Sequence, residues 1–414
     1  MIKKVKTAVI GGGAAGISAA IAAGSKFGKG STVIIEKQSK IGRKLLATGN
    51  GRCNIGNKNM SAKYYHGDTL LIKSVLSEFT VDKAVRFYSS IGLLLKEDSE
   101  GRLYPYSNRA ETVLECFRNK LKQLSVEIIC GYEIIDIRKE KGLFVISAPD
   151  VIIYARYLVF ATGSEAAPYL GADSSGYNFL QKKGLQPSPL FPSLSPVICQ
   201  KTYRQLKGVR AKGYVTLYGN SYCIISKYGE IQFTDTGLSG ICIFDISRYV
   251  NEFFTLGTIA GHKYSQLKIS VDLMPEYSEN DVLDYLRKCR KIFASERTEN
   301  ILSAALDKKI SAVLIKYSGI ERQSCGKLSE DDLKKLAFSV KHFGFIPSEI
   351  SAFKNAQVSA GGFDCQTVDS QTLMCRKVKN LFICGELLDI DGECGGYNLH
   401  FAIGSGMLTA KFMK

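Results

Sequence analysis

Hydrophobic and polar positions change period several times along the chain, and each change marks an element. Residues 5–10 are a short, mainly apolar run, the pattern of a buried strand. A glycine cluster follows, and 17–26 then reads as a helix of small residues. Residues 31–35 form a second apolar strand, closed by Glu36. Over 68–91 the apolar positions Leu71, Val75, Phe79, Val85 and Tyr88 keep helical spacing and predict one helix. Residues 93–106 read as a hairpin with a glycine turn. Asn108-Arg109-Ala110-Glu111 has the form of a capping box and opens a helix reaching Leu124. Strands are expected at 126–129 and 133–139, a hairpin at 142–154, and a further buried strand at 157–160.

The texture changes near Leu190. Pro187, Pro189, Pro192 and Pro196 crowd ten residues, as at a domain boundary. Residues 197–274 then read as short alternating strands with glycine turns, a small barrel or sandwich. Residues 278–320 look helical, with Val282, Leu286, Ile292, Ile301, Leu302 and Leu306 as the apolar positions, and Ser329 opens another helix. A last strand at 381–384 runs through glycines into a closing helix of small and apolar residues, 399–413.

The chemistry sits where strands meet glycines. Gly11-Gly12-Gly13-Ala14-Ala15-Gly16 matches G-x-G-x-x-G between a strand and a helix, with Glu36 twenty residues beyond. Gly11 permits a tight turn, Gly13 lets backbone N–H groups approach a pyrophosphate, and Gly16 lets helix and strand pack closely. The helix N-terminus favours phosphate, and Glu36 accepts ribose hydroxyls. An acid at that place selects FAD or NAD over NADP, whose 2′-phosphate it would repel. No second G-x-G-x-x-G exists, so a dedicated NAD(P)H domain is not expected.

A long polar loop follows Glu36, where an NAD dehydrogenase would turn promptly into a helix. Gly49, Asn50 and Asn54 adopt or tolerate positive φ and offer polar groups; Arg43 and Lys44 suit phosphate or ribose; Thr48 suits a polar ring edge. A cofactor longer than one nucleotide would lie along this loop, and FAD fits. Arg52 and Cys53 invite a catalytic reading, but no histidine or second cysteine stands near in sequence, so Cys53 is read as a packed thiol. The Ala161-Thr162-Gly163 turn and the segment 385–398 repeat the pattern of small residues after a buried strand. A reduced flavin is negative at one ring edge, where a helix N-terminus would stabilise it. The acids at 386–393 lack histidine partners and are not read as a metal site. His400 is read as a satisfied structural histidine rather than a catalytic acid.

Bulk properties narrow the class. Hydrophobic residues are 45% and charged residues 23%, enough apolar material for a folded core rather than disorder. Twelve cysteines form no C-x-x-C pair and read as free thiols of a reducing compartment. No apolar run is long enough to span a bilayer, and the glycines at 11–13 would break a signal-peptide helix, so the expected compartment is the cytoplasm with no membrane insertion. Net charge is +16, and residues 1–60 hold eleven Lys/Arg against the single acid Glu36. That is either a solvated face or a surface for an anionic partner, a phosphate-bearing cofactor or nucleic acid.

Six segments together resemble a known family, the bacterial BaiN-type FAD-dependent oxidoreductases, which include aminoacetone oxidases and a 3-dehydro-bile acid Δ4,6-reductase. They are VIGGGAAG at 9–16, EKQSKIGRKLLATGNGRCN at 36–54, FATG at 160–163, FTDTGLSG at 233–240, VSAGGF at 358–363 and CGELLDIDGECGGYNLHFA at 384–402. The resemblance implies an α/β fold: a split Rossmann-like FAD-binding domain (1–190 and 346–414), an inserted β-barrel (191–275), a small helical subdomain (276–325) and a return through the insert (326–345). It implies FAD against Gly11, Gly13, Ala14, Ala15, Gly16, Glu36, Lys37, Arg43, Lys44, Thr48, Gly49, Asn50, Asn54, Ile134, Ala161, Thr162 and Gly163. The same implication extends to Gly385, Glu386, Asp389, Gly396, Tyr397, Asn398 and Leu399. Relatives often carry another residue, such as His, where this chain has Asp235, so no role is assigned to that side chain.

The reading that follows is an enzyme, an FAD-dependent oxidoreductase. In its leading form NAD(P)H, as transient co-substrate, gives hydride through the flavin to a conjugated C=C of a small apolar, steroid- or bile-acid-like substrate. The alternative is an amine (aminoacetone) oxidase using O2. Rivals of other classes are a flavin-assisted tRNA-binding or tRNA-modifying protein and a flavin carrier without turnover. The linear sequence shows no basic–aromatic cluster for stacking single strands, so nucleic acid is not the expected partner.

Overall fold

Strand β1 (Ile2–Ile10) is solvent-facing in its first half and buried from Thr7 onward, and the first unit is built around that buried half. The computed structural model describes residues 1–321 and 323–414. It divides into two units, Met1–Phe191 with Gln357–Lys414, and Pro192–Ala356. In chain order the first unit continues with α1 (Ala14–Phe27), β2 (Thr32–Glu36), α2 (Arg43–Ala47), α3 (Thr69–Glu78), α4 (Val81–Ser90) and α5 (Ala110–Gln123). Then come β3 (Glu127–Cys130), β4 (Asp136–Glu140), β5 (Leu143–Ala148), β6 (Val151–Phe160), α6 (Ser175–Lys182), β7 (Leu381–Ile383) and α7 (Tyr397–Lys411).

Strands β3, β2, β1, β6 and β7 lie side by side and parallel, while β5 and then β4 extend the sheet antiparallel from the first half of β6. The register aligns the parallel strand ends: Ile10 pairs with Ile35 and Phe160, Phe160 with Ile383, and Glu36 with Cys130. Every turn that leaves these ends therefore opens on one edge of the sheet, the place where α/β sheets bind ligands.

Helix α1 is almost wholly buried because it is made of alanine, glycine and isoleucine. Its small residues admit α7 at backbone distance. A Cβ on Gly406 would lie 2.2 Å from the Ala15 carbonyl oxygen, and one on Gly385 would lie 2.7 Å from Ala15 Cβ. The last helix of the chain is thus seated directly on the first.

Several expected elements are corrected. The single helix expected over 68–91 is two, because Thr80 stops one and caps the next, its hydroxyl accepting Lys83 N–H at 3.4 Å. The capping box at 108–111 does not form. Asn108 takes φ 54°, and Ala110 N–H donates instead to the Gly51 carbonyl at 2.8 Å. The hairpin at 142–154 and the strand at 157–160 merge, since β6 runs unbroken from Val151 to Phe160 after a tight turn at Asp150 (φ 57°).

The second unit is an antiparallel sheet ordered 343–345, 267–272, 210–219, 222–233, 237–239, 197–199, 347–349. Segments 343–345 and 347–349 pair with opposite ends of that order, so the two ends meet at Ile346. The run expected as strands only, 197–274, also holds a helix, Ile241–Leu256. Its β-branched and aromatic residues look strand-like, but Ile243, Ile246 and Val250 fall on one buried helical face, and Gly240 and Gly257 bound it at φ 109° and 70°. Helices Glu279–Ile292 and Glu330–Lys341 each start on a true capping box, Ser278 with Asp281 and Ser329 with Asp332. Among the described residues no helix is long and apolar enough to cross a membrane.

Gly406→Val drives a branched side chain into the α1 backbone. A loss of roughly 1–3 kcal/mol in urea melts followed by far-UV circular dichroism is expected; an unchanged midpoint would mean that the two helices separate at no cost.

Candidate functional site

The turn from β1 to α1 divides its glycines by task. Gly11 (φ 103°) donates its N–H to the Ile35 carbonyl at 2.9 Å, and a Cβ there would lie 2.4 Å from the Ala161 carbonyl oxygen. A Cβ on Gly16 would lie 1.9 Å from the Gly11 carbonyl oxygen. Gly13 differs: no heavy atom stands within 4 Å of where its Cβ would be. It is the N-cap of α1, with no side-chain cap and no acid in the first turn. Ala14 and Ala15 therefore open a helix whose first turn carries no side-chain cap of its own.

Glu36 ends β2 with both oxygens engaged. Oε2 accepts Gly12 N–H at 2.6 Å and Oε1 accepts Gln38 N–H at 2.7 Å. Two backbone donors thus orient the carboxylate and leave it further lone pairs for hydroxyl donors. Beside it, Tyr132 N–H donates to the Glu36 carbonyl at 3.2 Å, which ties the segment carrying half-buried Ile134 to the same edge. Lys37 pairs with Asp173 and, at 3.3 Å, with Glu133. The hydrogen bond from Asp173 leads in holding its ammonium above the usual lysine range.

The polar loop contains a short helix, α2, that its composition does not announce. Gly42 N–H donates to the Gly12 carbonyl at 2.8 Å and seats the helix against the first turn. Arg43 donates to the Gln38 side chain and to the Tyr169 carbonyl at 3.1 Å. Lys44 forms an ion pair with Glu386 at 2.7 Å. The Thr48 hydroxyl donates to the Leu45 carbonyl at 2.7 Å. Gly49, Asn50, Gly51 and Cys53 all have φ between 55° and 81°, a winding that glycine and asparagine accept readily. Cys53 is buried and its thiol is pushed up to about 11 by that burial, so it is protonated at neutral pH and is no nucleophile. Arg52 lies over the Tyr104 ring at 5.0 Å.

Asn54 has a structural task. Oriented by its neighbours, its amide donates to the carbonyls of Gly56 (2.9 Å) and Leu103 (3.2 Å), and its oxygen accepts Gly396 N–H at 3.1 Å. It thereby joins the loop to the start of α7.

The other strand ends complete the edge. Ala161 N–H donates to the Ile10 carbonyl at 2.9 Å. The Thr162 hydroxyl oxygen is buried against Gly176, where a Cβ would lie 1.9 Å from it, and has no hydrogen-bond partner among the described residues; Gly163 (φ 76°) again has open space where a Cβ would be. Gly385 (φ 72°) donates its N–H to Ser405 Oγ at 2.9 Å. Glu386 accepts from Lys44, from Ser164 Oγ at 2.6 Å and from Ser359 N–H at 2.9 Å. Ser164, one residue past FATG, and Ser359, within VSAGGF, were given no task by the sequence, because only the fold brings them to Glu386. Asp389 accepts Ser188 Oγ at 2.9 Å.

Gly396 (φ 95°) caps α7, and a Cβ there would lie 2.4 Å from the Gly56 carbonyl oxygen. Tyr397 is buried, stacked on Tyr64 at 4.7 Å and edge-on to Tyr65 at 5.8 Å. The Asn398 amide bonds both the N–H and the C=O of Gly392, at 2.8 and 2.7 Å, and Leu399 is half-buried. Gly11, Gly13, Glu36, Thr162, Gly163 and Gly385 thus share one edge. The side chains of Lys37, Arg43, Thr48, Asn54 and Asn398 bond to protein around it. In the second unit, Asp235 is exposed and paired with Lys207 at 2.7 Å, a hydrogen bond that holds its carboxyl below the usual range.

Three comparisons bear on this arrangement. The model of the family described as "HI0933-like protein Rossmann domain" matches residues 5–412. A 3-dehydro-bile acid delta(4,6)-reductase of Clostridium scindens is 34% identical over 410 residues, 97% of each chain. A ribosomal RNA dihydrouridine synthase of Haemophilus influenzae is 27% identical over 410 residues, 97% of this chain and 96% of that protein. In fold, the chain is similar to quinol fumarate reductase FrdA of E. coli, with a TM-score of 0.50 at 14% identity, covering 100% of this chain and 70% of that one.

His400 lies one turn inside α7. It is 2% exposed, its Nε2–H donates to the Phe79 carbonyl at 2.7 Å, and burial lowers its pKa to about 4. A depressed folded pKa means stability that is present above the unfolded value, near 6.5, and is lost as pH falls toward 4. The expected loss over that window is roughly 3 kcal/mol. His400→Gln keeps a donor for Phe79 and should flatten this slope in urea melts from pH 7 to 4; equal slopes would show that folding leaves the His400 pKa unchanged.

Proposed function

The chain belongs to the HI0933-like Rossmann family of FAD-dependent oxidoreductases, and we propose that it is a reductase of a carbon–carbon double bond conjugated with a carbonyl. The observation that carries the cofactor half of this reading is the shape of the shared edge. Open space stands over Gly13 and Gly163, and the Glu36 carboxylate is held in place by two backbone donors. These features fit a dinucleotide with a polar ring. FAD, when bound, supplies the hydride chemistry.

Each residue then has a task. Gly11, Gly13, Ala14, Ala15 and Gly16 would present backbone donors to the pyrophosphate, and Glu36 would accept the ribose hydroxyls. The segment at Ile134 would line the adenine end. Gly385, Glu386 and the start of α7 would border the ring, where the helix N-terminus favours negative charge. Lys37, Arg43, Lys44, Thr48, Gly49, Asn50, Asn54, Asp389, Tyr397 and Asn398 act chiefly by fixing the walls. Within the same reading the second unit is an inserted β-barrel with a helical subdomain near 276–325, supported by the meeting of its sheet ends at Ile346.

The acceptor half rests on bond type. A 3-dehydro-bile acid with 4,6 double bonds and a uracil ring share a C=C conjugated with C=O. Hydride from NAD(P)H goes to the β-carbon, a proton to the α-carbon, and NAD(P)⁺ leaves. The net charge of +16 favours a uracil ring within RNA as acceptor, since a polyanion gains most from such a surface. The small apolar enone is the second reading, favoured by the 34% identical relative.

The test begins with purified holoprotein mixed anaerobically with NADH or NADPH. Bleaching of flavin absorbance is expected. Reoxidation by unmodified ribosomal RNA, with two hydrogens gained by uridine in mass spectra, would support the first acceptor, and reoxidation only by steroid dienones the second. No bleaching, with peroxide formed from aminoacetone, would replace the reductase by an oxidase.

Gly13→Ala meets no protein atom, so the apo fold should keep its melting midpoint while FAD retention falls at least tenfold on desalting. Gly16→Ala collides with the Gly11 backbone and should lower both. Full FAD retention by Gly13→Ala would remove the pyrophosphate from that turn.

A further inference from the structure

The antiparallel pair 210–219 and 222–233 in the second unit carries an open face that the cofactor reading leaves unused. Alternation sends Val215 and Leu217 inward, to full burial, and Arg210, Lys212, Tyr214, Thr216 and Tyr218 outward. The register sets Tyr214 opposite Tyr228, Lys212 opposite Glu230 and Thr216 opposite Ser226. Tyr214 and Tyr228 are 46% and 52% exposed, with ring centroids 5.3 Å apart. On the neighbouring strand, exposed Lys268 pairs with Tyr218. Tyr222, at the hairpin tip, is 74% exposed. Two acids belong to the same surface, and both are already matched: Glu230 with Arg210 at 3.3 Å and Asp272 with Lys341 at 2.7 Å. Lys212 and Lys268 remain as exposed cations beside the rings.

Large, half-exposed aromatic rings on a sheet are costly in water unless something covers them. Planar rings flanked by lysines and by small hydroxyls suit one partner above others. Bases stack on the rings, phosphates meet the cations, and the Thr216 and Ser226 hydroxyls, bonded to each other at 2.9 Å, keep lone pairs that accept from ribose or base edges. The linear sequence hides this cluster, because its two tyrosines are fourteen residues apart and only the strand register joins them.

We infer that this face is a stacking platform for single-stranded RNA, with Tyr214 and Tyr228 as the base-stacking pair and Lys212 and Lys268 as phosphate contacts. The inference rests on the RNA reading of the acceptor for its biological partner, but not for its measurement, because binding is read without turnover.

The experiment is fluorescence anisotropy of a labelled single-stranded RNA dodecamer with FAD-loaded protein, between 50 and 200 mM salt. Expected is binding that weakens with salt, is weakened about tenfold or more by Tyr214→Ala with Tyr228→Ala, and is kept by the paired Phe variants. Lys212→Gln should lower the salt slope by about 1. Circular dichroism and bound flavin should match wild type in all variants. Lys183→Gln, a matched loss of charge in the first unit, should leave stacking-dependent binding intact. Equal affinity of wild type and the double Ala variant would overturn the proposal, as would equal affinity for duplex RNA. A dimer by light scattering that the Ala pair converts to monomer, with no RNA bound, would overturn it in favour of a second copy of this chain. Binding with no reduction of any uridine would leave the platform standing and remove the RNA acceptor.

Discussion

The first unit depends on one backbone contact, the seat of α7 on α1. At Gly406 over Ala15 no side chain separates the helices, and Gly385, in the turn after β7, approaches the methyl group of the same Ala15. Dispersion between closely fitted backbones is strong per unit length, and it is lost at once if a methyl group is interposed. The fit also fixes direction. Helix α1 starts at the sheet edge where β1, β2, β6 and β7 end, and α7 passes that edge at Ser405 and Gly406, where Ser405 Oγ accepts Gly385 N–H at 2.9 Å. The open N-terminus of α1 at that edge follows from packing before any side-chain chemistry is considered.

Around that seat the polar network acts as a clamp. Lys44, Ser164 and Ser359 converge on Glu386, and Asn54 reaches Gly396. Each of these bonds joins segments that are far apart in the chain. Their net stabilisation is modest, about 1 kcal/mol each for ordinary bonds. Their larger effect is positional, since they hold the 43–57 loop against the last helix and leave the space over Gly13 and Gly163 clear.

What the sequence disclosed, and what it hid, follows from range. The G-x-G-x-x-G turn and Glu36 were legible because their geometry is local: Gly11 and Gly16 touch each other within one turn. The strand ends at Phe160 and Ile383 were legible from apolar runs followed by glycine. The Lys44–Glu386 pair was not, because 342 residues separate its partners and neither carries a mark of the other. Residues expected to touch a ligand, such as Asn54, Tyr397 and Asn398, proved to have protein partners, since polar side chains in a glycine-rich loop must satisfy backbone groups that no helix or strand serves. The helix 241–256 was missed because its residue types favour strands, and burial decided otherwise.

The division of the first unit also imposes an order on its making. Its sheet is not complete until β7 is synthesised, and α1 has no partner for its glycine and alanine face until residue 411 has left the ribosome. The second unit, whose residues 192–356 are contiguous, is finished earlier and is free to fold while the first waits. During translation the nascent first half carries an apolar helix with an open flank. The span of the insertion therefore sets how long that flank stays exposed to chaperones and to aggregation.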